Sequence, residues 1–467
     1  MRHQRTTEAT SGPIRACAHR PASRRGSGNH VAPQAARYDD ATIGHSERRQ
    51  GPEAVSALFD RDGTLCVEGV SLTDVAARHG TPCFVYSRAA LEAAYREFDG
   101  AFAGTPHLTC YAVKANSNLA VLDVFARLGS GFDVVSGGEL ARVLAAGGDP
   151  RKIVFSGVGK SEAELRQGLE LGIHCFNVES SSELARLDRI AGTLGTRAPV
   201  SLRVNPDVDP RTHPYISTGL KESKFGIAFA EALPLYRRAA GLANVVVRGI
   251  DIHIGSQITA LEPYREAAMK VLELVDALAS AGIHLEHVDL GGGIGIRYRD
   301  ETPVDLASYA AMIAKLFGGR RESLLFEPGR RLTGNAGILL TRVAYLKPGE
   351  RSFAVVDAAM NDLLRPALYD AWHDVRPVRR CNERPRIWQI VGPVCESADF
   401  LARDRELALV EGDLLAILSA GAYAMVMSSN YNSRPRAAEV LVEGTTMHLV
   451  GRRESVGELF ARESRLP

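Results

Sequence analysis

Several classes of protein are excluded by what this chain of 467 residues lacks. It has no apolar run of about 18 residues, so no membrane span or membrane partner is predicted. The seven cysteines lack paired spacing, which argues against disulfides and zinc and favours a reducing compartment. Lys and Arg number 56 and Asp and Glu 55, and a net charge of +1 argues against nucleic-acid binding.

The first 55 residues differ in composition from the rest of the chain. They are rich in Arg, Ser, Gly, Pro and Ala without apolar periodicity, which predicts a disordered N-terminal extension. An Arg- and Ser-rich start is also typical of an organellar transit peptide, but five acidic residues weaken that interpretation. We therefore predict a cytoplasmic protein, and a non-functional extension explains residues 1–55 at least as well as an import sequence.

Between Thr109 and Phe326, short apolar segments alternate with polar or glycine-rich turns and helical stretches. This alternation predicts a parallel sheet, and eight units predict a closed (β/α)8 barrel in residues 81–332, with a doubly wound open sheet as the alternative. The predicted strands are Thr109–Val113, Phe132–Val135, Ile153–Phe155, Cys175–Val178, Val200–Val204, Val247–Ile252, Leu285–Leu290 and Leu324–Phe326. The carboxyl ends of all eight would meet at one rim, where barrel active sites lie.

After Thr333 the pattern changes to strands with little helix between them. The predicted strands are Ile338–Val343, Ser352–Val356, Arg386–Val391, Leu414–Leu418, Glu439–Val442 and Thr446–Val450. Residues 333–467 are therefore predicted to form a C-terminal all-β domain, and the strand-like residues 56–80 to join it. The fold class is α/β, a (β/α)8 barrel followed by a β domain.

Lys114 is the most informative single residue of the chain. It ends the apolar run Tyr111–Val113 and precedes turn-forming residues, although an ammonium group is costly to bury. A desolvated lysine can lose its charge and condense with a carbonyl, as Schiff-base lysines do. On this segment alone, a lysine that simply reaches solvent is an equally good interpretation.

Three other predicted strand ends carry residues that extend this chemistry. Gly291–Gly295 follows the seventh strand, where barrels often bind phosphate, although an ordinary tight turn is the alternative. Glu327 follows the eighth strand, and His253 follows the sixth. A lysine, a phosphate site and a carboxylate for a ring nitrogen together predict pyridoxal phosphate. His253 would pack on its ring, unless it is a histidine satisfied within the core.

With these residues the chain resembles the diaminopimelate decarboxylases, pyridoxal-phosphate enzymes with an alanine-racemase-type barrel. The similarity runs from about residue 60 to the C-terminus. It rests on the motifs Tyr111–Asn116, Asn205–Gly226, His253–Gln257, Asp289–Gly295, Glu327–Arg330, Arg365–Tyr369, Cys395–Asp399 and Gly421–Ala424. The resemblance implies decarboxylation of meso-2,6-diaminopimelate to L-lysine and carbon dioxide, the last step of lysine biosynthesis by the diaminopimelate route.

The resemblance also implies a role for each motif residue. The positions implied to bind pyridoxal 5'-phosphate are Lys114, His253, Ser256, Gly292, Gly293, Glu327, Pro328, Gly329, Arg330 and Tyr423. Those implied to bind substrate are Arg330, Arg365, Tyr369, Glu396 and Tyr423. Lys114 and Cys395 are the implied catalytic residues, with Cys395 as proton donor. Cys395 and Glu396 would come from the neighbouring subunit of a homodimer with shared active sites, and no metal is expected.

Three other functions compete with this interpretation. A decarboxylase of ornithine, arginine or a carboxyspermidine-like amine is disfavoured by Arg365, because substrates with a cationic tail have no second carboxylate for an arginine. A racemase of this fold resembles the chain but places an arginine where Glu327 stands. A non-catalytic regulator that kept the fold is disfavoured by the presence of both Lys114 and Cys395.

Overall fold

The structure is a computed structural model, and it describes residues 58–210, 218–219 and 223–467. The predicted N-terminal extension lies outside these ranges, and so does part of the motif Asn205–Gly226. None of the helices in the described ranges is long and apolar enough to cross a membrane.

Eight parallel strands close into a barrel within the described part of the chain. The eighth strand pairs with the first through Phe326 and Thr109, and the fourth pairs with the fifth through Phe176 and Val200. The strands are His107–Ala112, Gly131–Val134, Ile153–Phe155, Cys175–Val178, Ala198–Asn205, Val245–Asp251, His287–Asp289 and Ser323–Phe326. The predicted barrel is confirmed, and its closure rules out the open sheet.

A helix follows each barrel strand, and serine side chains cap the start of three of these helices. Ser136, Ser161 and Ser180 each accept a hydrogen bond from a backbone N–H of the first helical turn, and Ser161 forms a capping box with Glu164. The eight helices described are Leu119–Arg127, Gly137–Ala145, Glu162–Leu171, Ser181–Thr193, Phe229–Ala240, Glu262–Ser280, Leu306–Phe317 and Arg330–Thr333. These caps fix the end of each preceding loop, and these loops lie at the carboxyl rim.

A second, mixed sheet is built mainly from the C-terminal part of the chain. Its order is Phe400–Leu407, Arg386–Val391, Ser352–Val356, Gly337–Lys347, Cys83–Ser87, Ala438–Glu443 and Thr446–Gly451. Leu414–Ile417 pairs with both Gly337–Lys347 and Val375–Pro377. The short helices Arg365–Tyr369 and Val456–Leu459 also belong to this region, so it is not purely β.

The strand Cys83–Ser87 lies within residues 81–332, which were predicted to form the barrel. The prediction assigned it to the barrel, but it lies inside the mixed sheet, antiparallel to Gly337–Lys347 and parallel to Ala438–Glu443. The helix Arg88–Ala101 follows at once and packs beside Leu119–Arg127. The chain therefore passes from the second sheet straight into the barrel.

Residues 56–80, predicted as strand-like, are only partly so. Leu58–Arg61, Thr64–Val67 and Val70–Ser71 form a separate three-stranded sheet, and Leu72–His79 is a helix capped by Ser71. Leu65 and Val67 pack with Val85, Leu340 and Val440 of the mixed sheet in one buried cluster. The segment thus covers the mixed sheet without extending it.

One buried hydrogen bond joins Cys83–Ser87 to its C-terminal neighbour, and it yields a test of the fold. The Tyr86 hydroxyl donates to Glu439 Oε1 at 2.8 Å, and both side chains are buried. Tyr86→Phe should lower the free energy of unfolding by about 1–3 kcal/mol, because it leaves a buried carboxyl without this donor. Chemical denaturation measures the change. Tyr345→Phe, at a position 65% exposed, is the matched control and should change little.

The effect of Tyr86→Phe should also depend on pH. Burial raises the pKa of Glu439, and the hydrogen bond from Tyr86 opposes that rise. In the Tyr86→Phe protein the folded-state pKa of Glu439 is raised further. The variant should therefore lose stability relative to the wild type as pH rises through that pKa, and it should keep this part of its stability below the ordinary carboxyl pKa of about 4. An equal loss of stability at acidic and neutral pH would contradict this account.

Candidate active site

Lys114 lies directly after the first barrel strand, in the short 3-10 segment Val113–Ala115. Its ammonium group forms an ion pair with Asp133, which is fully buried on the second strand. Burial alone would lower the pKa of Lys114, but the negative charges of Asp133 and Glu327 outweigh it and raise the pKa above its ordinary value. The protonation of this amine is therefore set by its acidic neighbours.

Glu327 belongs to a group of buried carboxyls at the carboxyl end of the barrel. Ser156 Oγ donates to Glu327 Oε1 at 3.5 Å and Asn177 Nδ2 at 3.4 Å. Burial, with the charges of Asp133 and Asp289, raises the pKa of Glu327 well above its ordinary value. Burial likewise raises the pKa of Asp289 to about 7. Adjacent carboxyls out of water oppose one another's ionisation, so the protonation of this group is coupled.

His253, at the end of the sixth strand, faces the glycine loop of the seventh. Its Nδ1 accepts a hydrogen bond from the Gly292 N–H at 3.2 Å, so the remaining proton of the neutral ring is on Nε2. Burial, followed by the charges of Arg203 and Lys114, lowers the pKa of His253 well below its ordinary value. The imidazole is thus an uncharged flat surface at the rim.

The glycines after the seventh strand let three strand ends approach one another closely. A Cβ atom at Gly292 would overlap the carbonyl oxygen of Glu327, and one at Gly293 would overlap that of Gly255. Gly293 also has φ +96°, a conformation that side chains rarely adopt. These positions require glycine, and they bring the backbone of the loop against Glu327 and the segment around Ser256.

Arg330 lies three residues after Glu327 and begins the helix Arg330–Thr333. It is buried without an acidic partner among the described residues. Its Nη2 donates to Ser256 Oγ at 3.0 Å and its Nη1 to the Tyr298 hydroxyl at 2.7 Å, while Nε has no partner. Its guanidinium carbon lies 4.6 Å from the centre of the Tyr423 ring. A buried cation with an unsatisfied donor beside a serine hydroxyl is a site for an anion.

Arg365 is the second buried guanidinium, and it comes from the C-terminal region. It opens the helix Arg365–Tyr369, with Tyr369 one turn further on the same side. Its guanidinium carbon lies 4.4 Å from the centre of the Tyr298 ring. No carboxylate of the described ranges forms an ion pair with it. Tyr298 therefore stands between two buried positive charges.

Hydrogen bonds tie the Tyr423 loop of the C-terminal region to the Lys114 segment. The Tyr423 N–H donates to the Ala115 carbonyl at 2.8 Å, and Asn116 Nδ2 donates to the Gly421 carbonyl at 3.1 Å. On the other side, the Ala112 N–H donates to the Pro328 carbonyl at 3.1 Å. Tyr423 has φ +53°, an uncommon conformation for a large side chain. Both regions of the chain thus build one site.

Cys395 and Glu396 lie apart from this group within the chain. Both are exposed on the loop between Arg386–Val391 and Phe400–Leu407. The Cys395 N–H donates to Asn432 Oδ1 at 2.7 Å, and the Tyr431 hydroxyl donates to Glu396 Oε2 at 3.5 Å. Neither side chain contacts Lys114 or Arg365 in the ranges that the structure describes.

Sequence reasoning missed several residues that complete the site. Asp133 lies inside the predicted strand Phe132–Val135 and was assigned no role, although a carboxylate inside an apolar segment is itself unusual. Tyr298 and His373 lie in loops without any pattern, and nothing in the sequence indicated that they contact the two arginines. The carboxyls Asp251 and Asp289 end strands of the structure, but they lie one residue inside the predicted strands Val247–Ile252 and Leu285–Leu290.

The residues grouped around Lys114 fit pyridoxal phosphate. An unpartnered Arg330 Nε, the Ser256 hydroxyl and the glycine loop suit a phosphate group, and Lys114 suits an aldehyde. Glu327 suits a pyridine nitrogen, because an acidic partner at that atom keeps the ring protonated. Each functional part of that cofactor has a matching residue in the described structure.

Comparisons with known proteins agree with this fit. Residues 88–334 match the family model described as pyridoxal-dependent decarboxylase, pyridoxal binding domain. A diaminopimelate decarboxylase of Pseudomonas aeruginosa is 62% identical over 408 residues, which cover 87% of this chain and 98% of that protein.

Solved structures show the same similarity over both regions. The diaminopimelate decarboxylase of Helicobacter pylori complexed with L-lysine has a TM-score of 0.82 and 43% identity, covering 84% of this chain and 98% of that one. The enzyme of the same name from M. jannaschii, in co-complex with L-lysine, has a TM-score of 0.84 and 38% identity, covering 88% and 98%.

Asp133→Asn should shift the pH dependence of cofactor uptake. The substitution removes the negative charge that supports the Lys114 ammonium, so the pKa of Lys114 should fall. Only the neutral amine attacks an aldehyde. Cofactor-free protein mixed with pyridoxal phosphate should therefore develop its visible absorbance at lower pH in the variant. Asp123→Asn, at an exposed pair with Arg127, is the control. Identical profiles for all three proteins would refute the role of Asp133.

Proposed function

The chain belongs to the diaminopimelate decarboxylases, pyridoxal-dependent enzymes, and we propose that Arg330 and Arg365 give it its preference for a substrate with two carboxylates. Its reaction converts meso-2,6-diaminopimelate into L-lysine and carbon dioxide, the last step of lysine biosynthesis by that route. One observation carries the proposal: two guanidinium groups are buried at the rim without a carboxylate partner in the described residues.

The substrate itself supplies the missing negative charge. A buried guanidinium that lacks an anion is costly, and a carboxylate that pairs with it is held by charge-assisted, often bidentate hydrogen bonds. Arg365 would bind the carboxylate at the distal end of diaminopimelate, with Tyr369 on the same helix beside it. Arg330 would serve the cofactor phosphate side and the substrate, since it contacts both Ser256 and Tyr298.

The residues of the barrel rim would hold the cofactor and control its charge. Pyridoxal phosphate, when bound, supplies a ring that withdraws electrons from the carbon losing its carboxylate. Lys114 would hold its aldehyde carbon, with Asp133 setting the protonation of the amine. Glu327 would keep a proton at the ring nitrogen. His253 is suited to cover the ring because a neutral imidazole does not repel a protonated pyridine.

Cys395 and Glu396 would complete the site from a second subunit. Both are exposed and apart from Lys114 within one chain, and the exposed Tyr431 contacts the same loop. A homodimer that places this loop over the partner's rim would supply a thiol to protonate the product carbon and a carboxylate for the distal ammonium. We also propose a cytoplasmic location, since the six cysteines in the described ranges are all unpaired.

Arg365→Ala should reduce kcat/KM for meso-diaminopimelate by about ten- to hundred-fold. A charge-assisted hydrogen bond to a buried site contributes about 1.5–3 kcal/mol, which corresponds to that factor. Carbon-dioxide release from meso-diaminopimelate, L-lysine, ornithine and arginine measures the preference. The exposed Arg376→Ala is the matched control and should behave as wild type. Faster release from ornithine or arginine by the wild-type protein would instead indicate an amine-forming decarboxylase.

Complementation between two inactive variants tests the shared site. Lys114→Ala and Cys395→Ala should each be nearly inactive. Mixed in equal amounts under conditions of subunit exchange, they should recover up to about a quarter of wild-type activity, because each mixed dimer holds one intact site. No recovery, despite mixed dimers detected by mass spectrometry, would show that each site is built from a single chain.

A further inference from the structure

The imidazole of His373 is the one direct hydrogen-bond partner of the Arg365 guanidinium among the described residues. It is fully buried, and its Nε2 accepts a hydrogen bond from Arg365 Nη1 at 2.8 Å. On its other side, Nδ1 lies 2.7 Å from the carbonyl oxygen of Leu418. A carbonyl oxygen can only accept, so Nδ1 carries the proton and Nε2 presents a lone pair to the guanidinium. The fold itself therefore fixes the tautomer.

This histidine is neutral in the folded protein. Protonation would put a second positive charge against Arg365 and would remove the lone pair that receives its N–H. Burial, followed by the charge of Arg365, lowers the pKa of His373 to about 3. The groups that face the ring from neighbouring elements, Arg330, Arg405 and Tyr298, include no carboxylate that would oppose this shift.

Other contacts hold the imidazole in place. Arg405 Nη2 donates to the His373 carbonyl at 3.0 Å, and the guanidinium of Arg405 lies over the ring of the adjacent Trp372. The Tyr298 ring meets the His373 ring edge-on at 5.3 Å and lies under the guanidinium of Arg365. These contacts hold the His373 ring in a fixed position on one side of Arg365.

A neutral acceptor at this place has a consequence that an acidic residue would not have. Buried arginines are usually paired with Asp or Glu, which would cancel the charge of Arg365 and occupy two of its donors. His373 engages one of the five N–H donors of the guanidinium and leaves its full charge. The remaining donors and the positive charge stay available to a carboxylate that enters the site.

We propose that His373 is a positioning residue for substrate specificity: it orients Arg365 toward the distal carboxylate of the substrate while leaving the charge of Arg365 uncancelled. The proposal rests on the proposed role of Arg365 in binding that carboxylate. It adds that specificity depends on a neutral partner behind the arginine as well as on the arginine.

Three substitutions of His373 test this role. His373→Glu places a carboxylate against Arg365 and should raise KM for meso-diaminopimelate by about ten- to hundred-fold with kcat nearly unchanged. His373→Gln keeps a neutral acceptor near the position of Nε2 and should change KM only a few-fold. His373→Leu removes the acceptor and should raise KM, because Arg365 is no longer held. Visible absorbance of the bound cofactor should be the same in all variants.

Inhibition by a diamine without carboxylates supplies the internal control. The product L-lysine keeps the distal carboxylate of the substrate, so its inhibition constant should rise together with KM. The inhibition constant of 1,5-diaminopentane, which has no carboxylate, should change little in any of the three variants. The KM defect of His373→Glu should also diminish as pH is lowered, since a protonated Glu no longer cancels the charge of Arg365. A structural disturbance of the site would instead raise KM and the inhibition constants of both L-lysine and 1,5-diaminopentane at every pH.

The outcomes separate this inference from the function on which it rests. If Arg365→Ala leaves KM unchanged, the proposed role of Arg365 is wrong. If Arg365→Ala raises KM but His373→Glu does not, only the role of His373 is wrong. Should the Glu variant fail to fold, judged by circular dichroism, His373→Leu decides: a raised KM with an unchanged inhibition constant for 1,5-diaminopentane supports the proposal, and any other result overturns it.

Discussion

The site depends on keeping charges of one sign close together and away from water. Below the rim, Asp133, Asp289 and Glu327 are buried side by side. Above it, Arg330 and Arg365 lie on either side of Tyr298. Neither group would be tolerated in an ordinary core, since burial penalises the ionised form of each. A closed barrel makes the arrangement affordable, because its large apolar interior and complete strand pairing supply stability elsewhere.

The two groups reduce the cost of their buried charges in different ways. The carboxyls can share protons among themselves and with Lys114, so the lower group adjusts its charge without any ligand. Guanidinium groups do not lose their protons in proteins, so the upper group has no such adjustment. The anions that it lacks are the ones that the cofactor and a dicarboxylate substrate bring. Among these charges of the described residues, only the two guanidinium groups are thus left without a partner of opposite charge, and the anionic groups of a ligand can pair with them.

Sequence reasoning identified the barrel because strands of a parallel sheet are short apolar runs at regular spacing, and the runs Ile153–Phe155 and Cys175–Val178 match the structure residue for residue. It grouped Lys114, Glu327 and the glycine loop because strand ends meet at one rim. It could not place Cys83–Ser87, since an apolar run before a helix is the same pattern whether its partners are barrel strands or distant ones. His373 and Tyr298 are defined by loops that converge in space, and periodicity contains no information about such contacts.

The position of Cys83–Ser87 has a consequence for folding during synthesis on the ribosome. Both of its sheet partners, Gly337–Lys347 and Ala438–Glu443, are made long after it. Until then this apolar strand emerges with two open edges, at which other chains can pair. The barrel that follows it can begin to assemble without it. Strands synthesised much later therefore protect Cys83–Ser87, and a chain interrupted before residue 438 would be released with one edge of this strand unpaired.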